Sequence, residues 1–194
     1  MRETNPHLAI TEQVIIQGCA AGKRASQTML YDRYAPRMMA LCMRYSKNRE
    51  EAEEVLLEGF HRVFRNIRQY KQSGSFEGWV RKVMVNAALQ RYKPKSKLYP
   101  ILPIAQAAMD IPDYADIESG MEAKELTLLV QSLPTGYRMV FNLHVFEGYK
   151  HREIAAMLGI SEGTSKSNLF DARALLRKSL GAKARIHAGK KISI

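Results

Sequence analysis

Glu58 and His61 stand at a Glu-x-x-His spacing, which sets a carboxylate and an imidazole on one face of a helix, as di-iron carboxylate bundles require. Such a centre needs a second pair and two more carboxylates, and the sequence holds no other Glu-x-x-His. His144 and His151 are isolated from other ligating or nucleophilic side chains. There is no Walker loop, no nucleophile elbow and no zinc-spaced cluster. Cys19 and Cys42 lie far apart within helical, partly apolar patterns, so they read as core thiols of a reducing compartment. No metal, cofactor or catalytic residue is expected.

A different chemistry is written between Lys150 and Leu180, where the spacing is that of a helix-turn-helix. Ile154, Met157 and Leu158 form the buried stripe of a first helix from about His151 to Leu158. Gly159 ends it, Ile160 plugs the corner, and Ser161 is placed to cap a second helix that starts at about Glu162. On that helix Ser165, Leu169, Ala172 and Leu176 share a face that can pack on the first. The opposite face carries Gly163, Lys166, Ser167, Phe170, Ala174, Arg177 and Lys178. Small, polar and cationic groups on the exposed side of a helix suit a DNA major groove.

The formal charge of +11 makes a polyanion the natural partner, through release of condensed counterions. With 46% hydrophobic residues in 194, packed cores are affordable. No apolar run approaches the roughly 20 residues that span a bilayer, and the amino terminus lacks an apolar signal core. A soluble cytoplasmic protein is expected, with nucleic acid favoured over membrane.

The fold class expected is all-α, in two small helical domains. From Thr11 to about Tyr92 helical periodicity dominates: Thr11 caps a helix that ends at Gly22, a second runs from about Ala25 to Tyr45 with a local irregularity at Pro36, and a third runs from the cap Asn48 to about Tyr70. The third has acids at its start and an apolar face of Val55, Leu56, Phe60, Val63, Phe64 and Ile67. After a loop at 71–75, a fourth helix from about Phe76 to Arg91 buries Trp79, Val80, Val83, Ala87 and Ala88 and turns Arg81, Lys82, Asn86, Gln90 and Arg91 elsewhere. Four prolines between Pro94 and Pro112 mark a linker, basic first and then acidic at Asp110, Asp113, Asp116 and Glu118. Four further helices are readable from Ser119 to Leu180, the second starting at Pro134. Domains are thus expected at 1–93 and 119–180, with a linker at 94–118 and a basic tail at 181–194 that is disordered or makes weak backbone contacts.

Two helical blocks, a proline-rich linker and a final helix-turn-helix resemble an extracytoplasmic-function sigma factor of the sigma-70 family. The strings that carry the resemblance are EEAEEVLLEGFHRVFRNI and GSFEGWVRKVMVNAAL in the first block, LPTGYRMVFNLHVFEGYKHREIAAMLGISEGTSKSNL and ARALL in the second. The resemblance implies a subunit that brings core RNA polymerase to promoter DNA and helps to melt it. It places Glu53, Glu54, Glu58, Val63, Phe64 and Arg65 on the surface that docks on the polymerase β′ subunit, with β also a partner. It gives capture of the opened −10 strand to Tyr70, Lys71, Gln72, Trp79, Arg81, Lys82 and Asn86, cations for the backbone beside a surface for a base, although Trp79 reads first as a core side chain. It gives the −35 duplex to the helix from Glu162 and its approach, with groove or phosphate contacts from Lys150, Arg152, Ser161, Glu162, Gly163, Thr164, Lys166, Ser167, Phe170, Arg173 and Arg177. It routes the linker past the polymerase active site, where its acids would mimic nucleic-acid charge, and it implies an anti-sigma factor as a further partner. Two departures stand out: Leu57 replaces a glutamine usual in relatives, and Asp171 sits where a basic or small polar residue is more usual. Alone, the helix-turn-helix would equally suit a transcriptional regulator that binds duplex operator without polymerase; the first block speaks against it.

Overall fold

The computed structural model describes residues 11–91 and 121–190, with side chains for 11–91 and 124–181. Every regular element among them is helical. In the first block α1 (Glu12–Ala20) packs on α2 (Arg24–Tyr45), and α2, α3 (Arg49–Asn66) and α4 (Phe76–Arg91) pack on one another. In the second, α5 (Met121–Gln131), α6 (Thr135–Phe141) and α7 (His151–Leu158) all meet α8 (Glu162–Lys190).

The helices start and stop for local reasons. The Asn48 side chain accepts from the Glu51 N–H at 2.9 Å, capping α3 where Glu50 and Glu51 meet the positive end of its dipole. Thr11 occupies the cap position of α1 but makes no side-chain bond there. α2 runs unbroken through Pro36, which has no N–H to give the preceding turn. Burial of Leu30, Tyr34, Met38, Leu41, Cys42 and Tyr45 along one side of α2 outweighs that loss, at about 1.5–3 kcal/mol for each large apolar side chain. Gly18 lets α1 approach α2: a Cβ there would lie 2.7 Å from the Ser26 Cβ.

Four expectations change. α3 ends at Asn66 and tightens into a 3-10 turn over Ile67–Gln69, rather than reaching Tyr70 as α-helix. α4 is buried almost all round, because Phe76, Met84, Val85 and Leu89 join the expected face. It packs on α2 and α3 while its Arg81 meets the second block, so a one-sided reading underestimates it. α6 does not start on Pro134, which stands just outside the helix in an extended conformation as its cap residue; Thr135 takes the first helical position. Finally, α8 continues without a break through Gly181 to Lys190, so the basic tail begins as helix. A single glycine costs a helix only about 1 kcal/mol, and alanines at 182 and 184 favour continuation. The linker and its acidic cluster lie outside the described residues.

The two blocks meet along the carboxyl end of α2. Arg138 Nε donates to the Tyr45 carbonyl at 3.2 Å, the Asn142 amide to that of Arg44 at 3.0 Å, and Gln131 to that of Met43 at 3.0 Å. Carbonyls that a helix end leaves orphaned are thus satisfied by side chains of the second block. Asn142 opens a π-helical turn, Asn142–Phe146, that periodicity did not foreshadow.

Candidate nucleic-acid and polymerase interfaces

The helix-turn-helix forms as its spacing predicts. The Lys150 N–H donates to the Glu153 carboxylate at 2.7 Å, which starts α7. Gly159 ends it at φ 67°, a left-handed conformation that glycine adopts without a Cβ penalty. The Ser161 hydroxyl accepts from the Thr164 N–H at 2.9 Å, so its first task is to cap α8. Ser165, Leu169, Ala172 and Leu176 are all buried, Ile154 and Met157 beneath them likewise. All eleven side chains or backbone positions expected to meet the −35 duplex are exposed, and Phe170 is 69% exposed, an unusual state for an aromatic ring. Lys166 pairs with Glu162 across one turn at 2.7 Å, and the pair holds the Glu162 carboxyl below its usual range. Asp171 is half-buried.

The expected strand-capturing residues differ in how open they are to a strand. Lys71 and Gln72 are exposed on the loop before α4, and the Tyr70 hydroxyl shapes that loop by donating to the Gly74 carbonyl at 2.7 Å. Gln72 stands at φ 59°, strained for a non-glycine residue. Lys82 and Asn86 are half-buried on α4. Trp79 is buried, stacked at 5.6 Å on Phe76 beside Tyr70, which agrees with its core reading and removes it as an open platform for a base. Arg81 is engaged: its Nε and Nη2 donate to the two oxygens of Glu147 at 2.7 and 3.0 Å. Burial works against the Arg81 charge, but Glu147 more than reverses this and raises its pKa above the ordinary arginine value.

On α3 the expected polymerase surface exposes Glu53, Glu54, Glu58 and Arg65, with Leu57 62% exposed among them. Arg49, Arg91 and Arg62 pair with Glu53, Glu54 and Glu58 respectively. Val63 is fully buried, so it supports this surface from behind and does not belong to it. Glu58 and His61, the spacing that suggested iron, are exposed to solvent, with Glu58 held by Arg62.

Several residues of consequence had no signal in the sequence. Glu147 is only 4% exposed, and Arg44 is buried with its guanidinium 4.5 Å over the Phe146 ring. His144 and His151 are not isolated: their rings stack at 4.6 Å, while His144 Nδ1 lies 3.0 Å from the Tyr149 carbonyl. Cys19 and Cys42 are buried free thiols, and burial pushes the Cys42 thiol up to about 12, which leaves it unreactive.

Residues 30–97 match sigma-70 region 2 and residues 123–176 match sigma-70 region 4. The ECF RNA polymerase sigma factor SigE of Mycolicibacterium smegmatis is 32% identical over 158 residues, 78% of this chain and 60% of that protein. The RNA polymerase sigma-H factor of Pseudomonas aeruginosa is 24% identical over 180 residues, 87% of this chain and 93% of that one. Among solved structures, CnrH in complex with the cytosolic domain of CnrY has a TM-score of 0.47 at 18% identity, covering 88% of this chain and 97% of that chain. The chain belongs to the sigma-70 family, as a sigma factor of the extracytoplasmic-function class.

Proposed function

We propose that this protein directs core RNA polymerase to a restricted set of promoters and helps to open them. The exposed face of α3, with Glu53, Glu54, Leu57, Glu58 and Arg65, docks on the polymerase β′ subunit, and the second block reaches β. The first half of α8 enters the −35 major groove, while Lys71, Gln72, Lys82 and Asn86 take the opened −10 strand, joined by Arg81 once it is released from Glu147. Residues 1–93 and 119–180 act as the two working units, joined by 94–118. The bond-making chemistry belongs to polymerase, and the chain works in the cytoplasm; among its described helices none is long and apolar enough to cross a membrane. An anti-sigma factor is a further partner on this reading.

The observation that carries the proposal is the two-faced α8: its four packing residues are buried while every expected −35 contact faces solvent. Run-off transcription with purified core polymerase on genomic fragments tests it, and no stimulation of specific initiation would sink it. A gel shift with and without core enzyme separates it from an operator-binding regulator, which would bind duplex DNA tightly alone.

A further inference from the structure

The stacked pair of His144 and His151 has no task in the contacts described so far. The two rings are parallel to within 13°, with centroids 4.6 Å apart, and both are half-buried. Their Nδ1 atoms face the protein: that of His144 lies 3.0 Å from the Tyr149 carbonyl, and that of His151 lies 3.0 Å from the buried Ser165 hydroxyl. Neither Nε2 has a hydrogen-bond partner among the described residues.

The pair stands among cations. Lys166 and Arg173 of α8 act electrostatically on His151, and Lys150 and Arg152 flank it at the start of α7. All four are exposed. The carboxylates of this region are engaged, Glu162 by Lys166 and Glu153 by the Lys150 N–H.

A carbonyl only accepts, so His144 Nδ1 carries a hydrogen and Nε2 of the neutral ring holds a lone pair. A phosphate oxygen also only accepts, and the neutral ring has nothing to offer it. One proton turns that nitrogen into a donor and adds a charge. On His151 a proton lets Nδ1 donate to Ser165 while Nε2 donates outward with a charge behind it. Burial, then His144 and Lys166 disfavour a proton on His151 in the free chain; Glu162 favours one and Arg173 disfavours it. Charge on one ring opposes charge on the other, so the pair takes up one proton. A phosphate at the open edge adds a negative charge and tips the balance towards that proton.

We infer that the stacked imidazoles form a contact for a DNA backbone phosphate that is complete only when the pair carries a proton, so that duplex binding by the second block takes up a proton. The inference rests on the −35 role proposed for this block. By linkage, affinity for duplex rises as pH falls, by at most about tenfold per pH unit for one proton.

The test uses the full chain as wild type, His144→Gln, His151→Gln and, as a control on the exposed face of α3, His61→Gln. Glutamine keeps an amide that can still bond the Tyr149 carbonyl or the Ser165 hydroxyl, and far-UV circular dichroism checks that each form is folded at each pH. The probe is a short fluorescent duplex of mixed sequence, since phosphate contacts carry no sequence information. Wild type should bind it about tenfold more tightly at pH 6 than at pH 8, the effect of one charge-assisted contact. Both variants of the pair should bring that ratio below about threefold, and His61→Gln should keep the wild-type ratio. The ring C–H signals of the two histidines, followed by NMR against pH, should titrate at a higher midpoint with duplex than without. An unmoved midpoint overturns the inference, as does a pH dependence that survives in both variants of the pair, or a loss of affinity in them that is equal at both pH values. Duplex binding that ignores pH in wild type overturns the inference alone, whereas absence of duplex binding at either pH overturns the −35 role and the inference with it.

Discussion

His151 Nδ1 lies 3.0 Å from the Ser165 hydroxyl, which ties the first helix of the helix-turn-helix to the second inside a contact that is otherwise apolar. The His144 ring stacks on that of His151. Burial, then His144, then Lys166 lower the His151 pKa below its ordinary 6.5; Glu162 opposes them and Arg173 assists. The folded state therefore prefers the neutral ring, so its stabilisation is full above pH 6.5 and is lost as pH falls through the lowered folded value. Melting temperatures between about pH 8 and 5 should fall on the acid side in wild type, and His151→Gln should flatten that fall.

Lys166→Ala removes a cation from the groove-facing side of α8 while leaving the packing side untouched. Its pair with Glu162 is exposed, so stability should change by less than about 0.5 kcal/mol. Binding to a −35 duplex should weaken, and the slope of log affinity against log salt should shrink by about 1 if the cation meets a phosphate. An unchanged slope would place Lys166 away from the backbone.

Gln72→Gly relieves a left-handed conformation on the loop before α4. Stability should rise by about 1 kcal/mol in chemical denaturation. If the side chain meets the opened strand, promoter opening should slow in the same variant, so that stability and function move in opposite directions.

Gly18→Ala should destabilise the first block by about 1–3 kcal/mol, because the new Cβ would press on Ser26. The Ser26 hydroxyl, which would crowd that Cβ most, can rotate away, but the Ser26 Cβ cannot. Adding Ser26→Ala should therefore recover only part of the loss, as thermal unfolding of the single and double variants would measure.

The legible part of this molecule was the part governed by period and punctuation. Ser165, Leu169, Ala172 and Leu176 were readable as a buried face because their spacing is helical, and Asn48 and Ser161 because cap residues announce themselves. The seam between the blocks was not legible. Arg44, Arg138, Asn142 and Glu147 are polar residues that periodicity assigns to the surface, and their burial follows only from a partner far along the chain. Arg81 was readable as a cation on α4, but its engagement by Glu147 was not, for the same reason. The stacked histidines were hidden too, since they are brought together by a π-helical turn without a sequence signature.

The side chains that finish α2 are made late. Arg138 reaches back 93 residues to Tyr45, and Asn142 reaches back 98 to Arg44. At translation rates of about 5–20 residues per second, the carboxyl end of α2 exists for roughly 5–20 s before its caps are synthesised. During that interval the first block is free of the second. A nascent chain carries an Arg81 that has no Glu147 to pair with, so the order of synthesis itself sets when this contact between the blocks first forms.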